Sequence, residues 1–447
     1  MNAKTIFQGM QDLLIRRYMG PFWYRKRWLN KTQWLSKEEL SDLQFSLLKR
    51  TIRHAERHVL YYQQLMKNRG FSSEDICSVE DIKLFPVLTK EDVLKAGNTM
   101  LSQTLPRFLL RHAYTGGTTG TPMDIYRSLF SIGNEHAFVR RQWDWAGIKM
   151  SDRTTYLTGR IIVPPDQTKG KLFAYDPFMR ELILSTYHLS EKTARDYIEA
   201  IIKYNVKAIV GYPSAVSFLA RICLSLGQSL SLKAVLTSSE TLTALTRKTI
   251  STAFGCPVYD FYGSAERTCY VFTCEEGSYH IQPEYGYTEL IPTDEAGQCK
   301  VVSTGFWNPA MPFIRYELGD IVVSSHEVCP CGRQFPVVRE IMGRQADVIR
   351  TPSGRQFGAA ILTHLLYGVD NIVESQIVQQ AIDRITIKYV RGPSFSQQDL
   401  ENLKRLVAKH LPQELAVDFE EVSSIEKTSS GKLKPVVSRI SGYSSVC

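Results

Sequence analysis

The stretch YTGGTTGTP at residues 114–122 constrains this chain more than any other. Seven consecutive Gly and Thr residues, 115–121, offer closely spaced backbone N–H groups and hydroxyls. Such a loop suits a polyphosphate when it lies between a strand and a helix of an α/β domain. The plainer alternative is a flexible glycine-rich turn. The loop is not of the Walker type, because Gly120 is followed by Thr121 rather than by Lys and Ser or Thr. A phosphate loop without its own lysine must borrow a cation, and EKTSSGKLK at 426–434 is a candidate source.

The pattern around the loop predicts how it is framed. Ser36 and Glu39 form a capping box that opens a helix carrying Leu40, Leu43, Leu47 and Leu48 on one face. Thr89 starts another helix, and 128–147 reads as a third. Strand-like runs at 153–163, 207–214, 232–240 and 256–266 alternate with helical runs ending near 204, at 217–226 and at 243–254. Strand, polar turn and helix in repetition specify an α/β domain, whose ligands bind at the carboxyl ends of the strands. From about 275 to 345 the texture becomes β-rich. After it come strands near 372–379 and 383–390, a helix at 396–409 and a strand at 415–422. The expected fold is therefore a large α/β region, 1–345, with a β-rich subdomain at about 275–345, followed by a small mobile α+β domain, 346–447. A total of 447 residues suits two or three domains.

Composition narrows the partners. No stretch approaches 18 uninterrupted apolar residues, so no transmembrane span is expected. The N-terminus lacks an apolar run followed by a small-residue cleavage site, and the scattered cysteines suit reduced thiols, so the expected location is the cytoplasm. Residues 1–60 carry 12 Lys/Arg against 5 Asp/Glu and supply most of the net charge of +9. Trp23, Trp28 and Trp34 are interleaved with them. A membrane- or nucleic-acid-binding segment is one reading; a helical segment with packed aromatics and a solvated basic face is the one we adopt, since no regular amphipathic pattern is sustained. No nucleic-acid partner is expected, and homodimerisation stays open.

Taken in order, the motifs between 114 and 434 resemble those of the adenylate-forming superfamily: acyl-CoA synthetases, luciferase-like enzymes and peptide-synthetase adenylation domains. Within it the likeness is to the phenylacetate–CoA ligase branch and its capsule-biosynthesis relatives. The resemblance makes Thr115, Gly116, Gly117, Thr118, Thr119 and Gly120 the ATP phosphate loop, with the hydroxyls of Thr118 and Thr119 facing the β- and γ-phosphates. FYGSAE at 261–266 matches the family's Tyr-Gly-x-x-Glu segment. Tyr262 and Gly263 then lie near adenine, and Glu266 holds Mg²⁺, a hard cation that requires a carboxylate beside phosphate oxygens. By itself Glu266 is equally a surface residue paired with Arg267. Ser239 and Glu240, in SSE at 238–240, fall where relatives line the adenine pocket.

Asp320, in IRYELGD at 314–320, would accept hydrogen bonds from both ribose hydroxyls. Its plain alternative is a turn cap after Gly319, and that of Arg315 is an ordinary salt bridge. In GRQAD at 343–347, Arg344 would contact ribose or phosphate and Asp347 would be the hinge of the C-terminal domain. The chain departs from its relatives after this point, in VIRTPSGRQFG. Lys432 matches the superfamily's catalytic lysine, which meets the charge that accumulates in the transition state; otherwise it is a solvated loop residue. Pro435 stands where relatives often keep a basic residue.

Two weaker constellations remain. Cys274 and His280 form C-x5-H, and Cys329 and Cys331 form C-x-C. Four soft or borderline ligands in two clusters suit a closed tetrahedral Zn²⁺ site, with buried free thiols as the alternative and Cys269 as a substitute ligand. Similar patterns occur in the phenylacetate–CoA ligase-like branch. The acyl pocket is assigned around Tyr187, His188, Tyr212, Pro213 and Ser214. His188 either meets the substrate carboxylate or bonds within the core. With no aspartate to hold an α-amine, an aryl or other small organic acid is expected.

The resemblance thus implies activation of a carboxylic acid by Mg·ATP to an acyl-adenylate, then transfer to a thiol, with coenzyme A as the expected acceptor. Transfer to an amine or hydroxyl, in polysaccharide or secondary metabolism, is a rival; so is a non-catalytic binding protein on the same fold.

Overall fold

The computed structural model describes residue 14 and residues 20–114, 123–163, 167, 170–344, 348–353, 356–358, 371–392, 395–411, 413–428, 433–434 and 436–440. The threonine loop 115–122, the hinge residue Asp347 and Lys432 lie outside them. The chain divides into two compact units, one built from Met1–Ser151, Asp176–Arg180 and Tyr259–Ile341, the other from Asp152–Tyr175, Glu181–Val258 and Met342–Cys447.

The first unit begins with helices. In the helix Lys37–His58 the Ser36 hydroxyl accepts from Glu39 N–H at 3.2 Å while Ser36 N–H donates to Glu39 Oε2 at 2.8 Å, so the predicted capping box is present. Its buried side, Leu40, Leu47, Leu48 and Ile52, follows helical spacing. Thr89 caps Lys90–Ala96 in the same manner. The basic N-terminal helix Phe22–Thr32 buries Phe22 and Leu29, and it also buries Arg25, whose guanidinium lies 3.6 Å from the centre of the Trp307 ring. Trp28 packs against Trp307, whereas Trp23 and Trp34 are exposed. The aromatic packing is therefore only partly inward.

Seven strands of this unit neighbour one another in the order Gly286–Pro292, Gln298–Gly305, Tyr316–Ser324, Val337–Arg344, Tyr279–Ile281, Tyr270–Thr273 and Val258–Gly263. The β-rich texture from 275 onward is thus a largely antiparallel run of strands. One side of it packs on the helices through Phe138, Tyr270, Phe272, Tyr285 and Trp307.

In the second unit five strands neighbour one another in the order Ala234–Ser238, Ala208–Gly211, Thr154–Thr158, Glu181–Ser185 and Phe173–Asp176. The first four pair in parallel. Helices Glu191–Lys203, Pro213–Ser225 and Ala244–Phe254 connect and cover them. The second of these starts at Pro213, four residues before the sequence pattern suggested. Proline at the first helical position needs no N–H and has its φ already set, so the turn is shorter than the polar residues implied.

The C-terminal part has its own four-stranded sheet, in the order Ala416–Glu421, Arg384–Arg391, Ile372–Ala381 and Val436–Ser438, and a helix, Gln397–His410. Ile377, Ile385, Ile387, Leu403, Val407 and Val436 form a separate core. The expected α/β architecture with a distinct small α+β C-terminal domain is what the chain adopts.

Candidate active site

Strand ends carry the chemistry in both units. In the first, strands Arg111–Tyr114 and Asp124–Arg127 pair antiparallel, with Tyr114 opposite Asp124, and so bring the two ends of the threonine loop together. Arg127 donates from Nη2 to the Ala265 carbonyl, which joins this hairpin to the FYGSAE segment. That segment leaves the strand Val258–Gly263. Gly263 lies against the ring of Tyr270, where a Cβ would come within 2.6 Å; no larger residue fits this turn without moving that ring.

Two tyrosine–carboxylate bonds organise the residues beyond. The Tyr262 hydroxyl donates to Asp320 Oδ2 at 2.7 Å. Burial, reinforced by the Asp320 charge, pushes this hydroxyl well above the usual tyrosine range, so it stays a donor. The Tyr316 hydroxyl donates to Glu266 Oε1 at 3.1 Å. Both acidic residues thus belong to one constellation, made by the strand Tyr316–Ser324 and by the strand Val258–Gly263 with the turn that follows it, and Tyr316 is a member that the sequence reading passed over although it stands inside the IRYELGD motif. Glu266 does not pair with Arg267: the latter forms its ion pair with Glu135. Arg315 makes a salt bridge, donating from Nε and Nη2 to Glu289 and from Nη1 to the Phe85 carbonyl. Its role is to hold the backbone that precedes Tyr316, where Arg315 itself sits at φ 54°.

The second unit holds the other candidates. Glu240 accepts from Ser214 N–H at 3.0 Å through one oxygen and from Leu433 N–H at 3.1 Å through the other. A carboxylate at the start of the helix Pro213–Ser225 satisfies an otherwise unpaired N–H and meets the positive end of the helix dipole. The same carboxylate holds the backbone beside Lys432. Lys427 reinforces the contact, reaching the Thr186 carbonyl at 3.2 Å and Glu374 at 3.5 Å. Ser239, just before Glu240, adopts φ 71°. Tyr187 and His188 lie in the short helix Thr186–His188, which the Ser185 hydroxyl caps by accepting from Tyr187 N–H. His188 and Tyr212 are buried. Burial pushes the Tyr212 hydroxyl up, with a backbone bond to Gly159 acting against it. Arg344 ends the strand Val337–Arg344.

The thiol cluster forms as the spacing suggested. The ligand atoms of Cys274, His280, Cys329 and Cys331 all lie within 4.8 Å of one another. Cys274 Sγ is 3.6 Å from Cys329 Sγ, and Cys331 Sγ is 3.5 Å from His280 Nε2. His280 Nδ1 faces the Phe335 carbonyl at 3.4 Å. A carbonyl can only accept, so Nδ1 carries the proton and Nε2 offers its lone pair to the cluster. Burial holds this imidazole below its usual range, hence neutral, and pushes the Cys274 thiol up to about 12 in the absence of a cation. Cys269 is not in the cluster: it is buried and receives the Thr288 hydroxyl.

A family model described as the CapK C-terminal domain matches residues 349–439. Over its length the chain is 25% identical to Protein CapK of Staphylococcus aureus, covering 98% of each. It is 23% identical to a phenylacetate-coenzyme A ligase of Aromatoleum evansii, covering 90% of this chain and 95% of that one. A crystal structure of 2-hydroxyisobutyryl-CoA ligase, in the postadenylation state with R3-HIB-AMP, shares the fold with a TM-score of 0.69 at 17% identity, over 91% of each chain. Among the described residues no helix is long and apolar enough to cross a membrane.

Proposed function

We propose that this chain, which belongs to the adenylate-forming superfamily and to its phenylacetate–CoA ligase-like branch, activates an aryl or other small organic acid with ATP and passes the acyl group to coenzyme A. The observation that carries this reading is the paired arrangement of Tyr262 with Asp320 and Tyr316 with Glu266. It sets two tyrosine-held carboxylates near the hairpin that flanks the threonine loop.

Asp320, which accepts from Tyr262, would also accept from the ribose hydroxyls, since an ionised carboxylate takes several donors. Glu266 spends one oxygen on Tyr316 and has the other available for Mg²⁺, which when bound neutralises phosphate charge as the α-phosphorus is attacked. Thr115–Gly120 would hold the β- and γ-phosphates. Lys432, whose neighbour Leu433 is tied to Glu240, would meet the negative charge shared by the attacking carboxylate and the α-phosphate. The acid would lie near Tyr187, His188 and Tyr212. The acid's carboxylate oxygen bonds to phosphorus as pyrophosphate leaves; the thiol sulfur then bonds to the acyl carbon as AMP leaves. Nothing in this sequence requires a side-chain nucleophile. Cys274, His280, Cys329 and Cys331 would hold Zn²⁺ as a structural ion: four nitrogen and sulfur donors leave no open coordination position.

An acid-dependent ATP–pyrophosphate exchange screen, with products weighed by mass spectrometry, tests the reading. AMP and an acyl-CoA thioester are the expected products. Amide or ester products would move the acceptor to an amine or hydroxyl, and formation of ADP in place of AMP would overturn the assignment.

A further inference from the structure

Two arginines beside Glu266 have no role in the chemistry just described. Arg127 closes the strand Asp124–Arg127 and donates to the Ala265 carbonyl. Arg267 follows Glu266 directly and adopts φ 58°, a left-handed conformation that a non-glycine residue holds only where its surroundings over-determine it. Gly305 packs against it, its backbone so close that a Cβ would come within 2.6 Å of the Arg267 carbonyl oxygen. The Arg267 side chain, 11% exposed, pairs with Glu135. Tyr270 and Tyr285, stacked at 3.8 Å between ring centres, are near neighbours of both guanidiniums.

Among the described residues, Arg127 Nε, Arg267 Nη1 and Ser264 Oγ are buried atoms with no hydrogen-bond partner. Arg127 bonds to Ala265, between Ser264 and Arg267, so the three residues share one neighbourhood; buried donors are almost always satisfied, and these call for an acceptor. The charges agree. Glu135 pairs with Arg267, while Glu266 attracts Arg127 but is bonded to Tyr316. Desolvation first, and then the Arg127 charge, lowers Arg267 to about 10. A second anion would relieve the repulsion and fill the open donor positions at once.

We propose that Arg127, Arg267 and Ser264 form a binding site for an oxyanion, a carboxylate or phosphoryl group, carried by a reactant in the cleft beside Glu266. Two carriers share that chemistry: a second acidic group on the acyl substrate, and the phosphates that leave as pyrophosphate. The naming of these carriers rests on the acyl-activation reading, whereas the anion site itself does not.

The test is therefore direct binding to the full chain, by calorimetry, of pyrophosphate, of succinate against butyrate, and of AMP as the nucleotide control. Arg127→Met is expected to weaken pyrophosphate or succinate on the order of tenfold, the weight of a charge-assisted hydrogen bond, with AMP affinity changed less and the melting temperature lowered by the loss of the bond to the Ala265 carbonyl. Arg267→Lys keeps the Glu135 pair and removes the forked second donor, so an intermediate loss is expected. A loss confined to succinate assigns the acyl substrate; one confined to pyrophosphate assigns the nucleotide. Equal binding of both anions by wild type and Arg127→Met overturns the site, as does failure of both anions to bind wild type. Absence of AMP binding would count against the acyl-activation reading alone.

Discussion

The first unit contains two polar clusters built from opposite materials. Glu266 and Asp320 are hard carboxylates, each held by a tyrosine hydroxyl. Cys274, His280, Cys329 and Cys331 are soft donors that face one another, and the histidine's second nitrogen is already engaged by a backbone carbonyl. The first cluster is open to an exchanging ligand; the second is closed upon itself. The difference teaches where each kind of mutation should be felt. Changes around the carboxylates should alter turnover and leave folding intact, and changes among the thiols should alter folding and leave the chemistry intact.

The largest effect is expected at the lysine proposed to serve the chemistry of the open cluster. Lys432→Ala should lower acid-dependent pyrophosphate exchange by roughly 10²–10³-fold, the range seen when one transition-state donor is removed. ATP binding and melting temperature should stay near wild type. Normal exchange in the variant would remove this lysine from the mechanism and leave the carboxylates without their expected partner.

Next in size is the closed cluster. Cys329→Ser replaces a buried soft ligand, and metal content measured by mass spectrometry should fall from about one zinc per chain toward zero. The melting temperature should drop by several degrees, corresponding to a few kcal/mol for a domain of this size. The same drop should follow a strong chelator in the wild type. A variant that keeps its metal, or a wild type purified without any, would break the comparison on this side.

These two clusters also differ in how legible they were. The thiol cluster was visible in the sequence because its members fall in two short stretches of an uncommon residue type, and the sheet needs only to bring two turns together. The capping boxes at Ser36 and Thr89 were visible because they act over three residues. The bond between Tyr316 and Glu266 was not, since it spans 50 residues and depends on where the turn after Val258–Gly263 meets the start of another strand. Glu240 was read as lining a nucleotide pocket; its bonds to Ser214 and Leu433 depend on contacts that no local pattern encodes. Arg127 carries no signal in the sequence and Arg267 enters there only as a partner for Glu266; their shared burial around Tyr270 and Tyr285 is what sets them apart.

A smaller effect is expected at the tyrosine the sequence reading missed. Tyr316→Phe removes the donor that fixes one oxygen of Glu266, a bond worth about 1 kcal/mol or slightly more for a charged acceptor. Turnover should fall by roughly fivefold to tenfold, with the Mg²⁺ concentration for half-maximal rate rising, because the carboxylate is less well oriented and not lost. A change in stability without a change in Mg²⁺ dependence would make Tyr316 a packing residue.

The smallest effect is a pH dependence at the other tyrosine. Tyr262 has its hydroxyl held well above the usual tyrosine range, by burial and then by the Asp320 charge. The folded state therefore favours the protonated phenol more than the unfolded chain does. That contribution is fully present below the unfolded pKa of about 10 and is lost as pH rises beyond it toward the folded value. Tyr262→Phe has no such proton to lose, so between pH 9.5 and 11, roughly the onset of phenol ionisation, its melting temperature should fall less steeply than that of wild type. Near pH 7 the variant's loss should be modest and confined to the bond with Asp320, seen as a rise of a few-fold in KM for ATP. The comparison is sharp because Tyr62, Tyr197, Tyr270 and Tyr285 are also raised by burial and remain in both proteins as a common background. Identical alkaline slopes would mean that Tyr262 ionises as it does in the unfolded chain, and the hydrogen bond that ties the aromatic to Asp320 would then contribute nothing to holding the open cluster together.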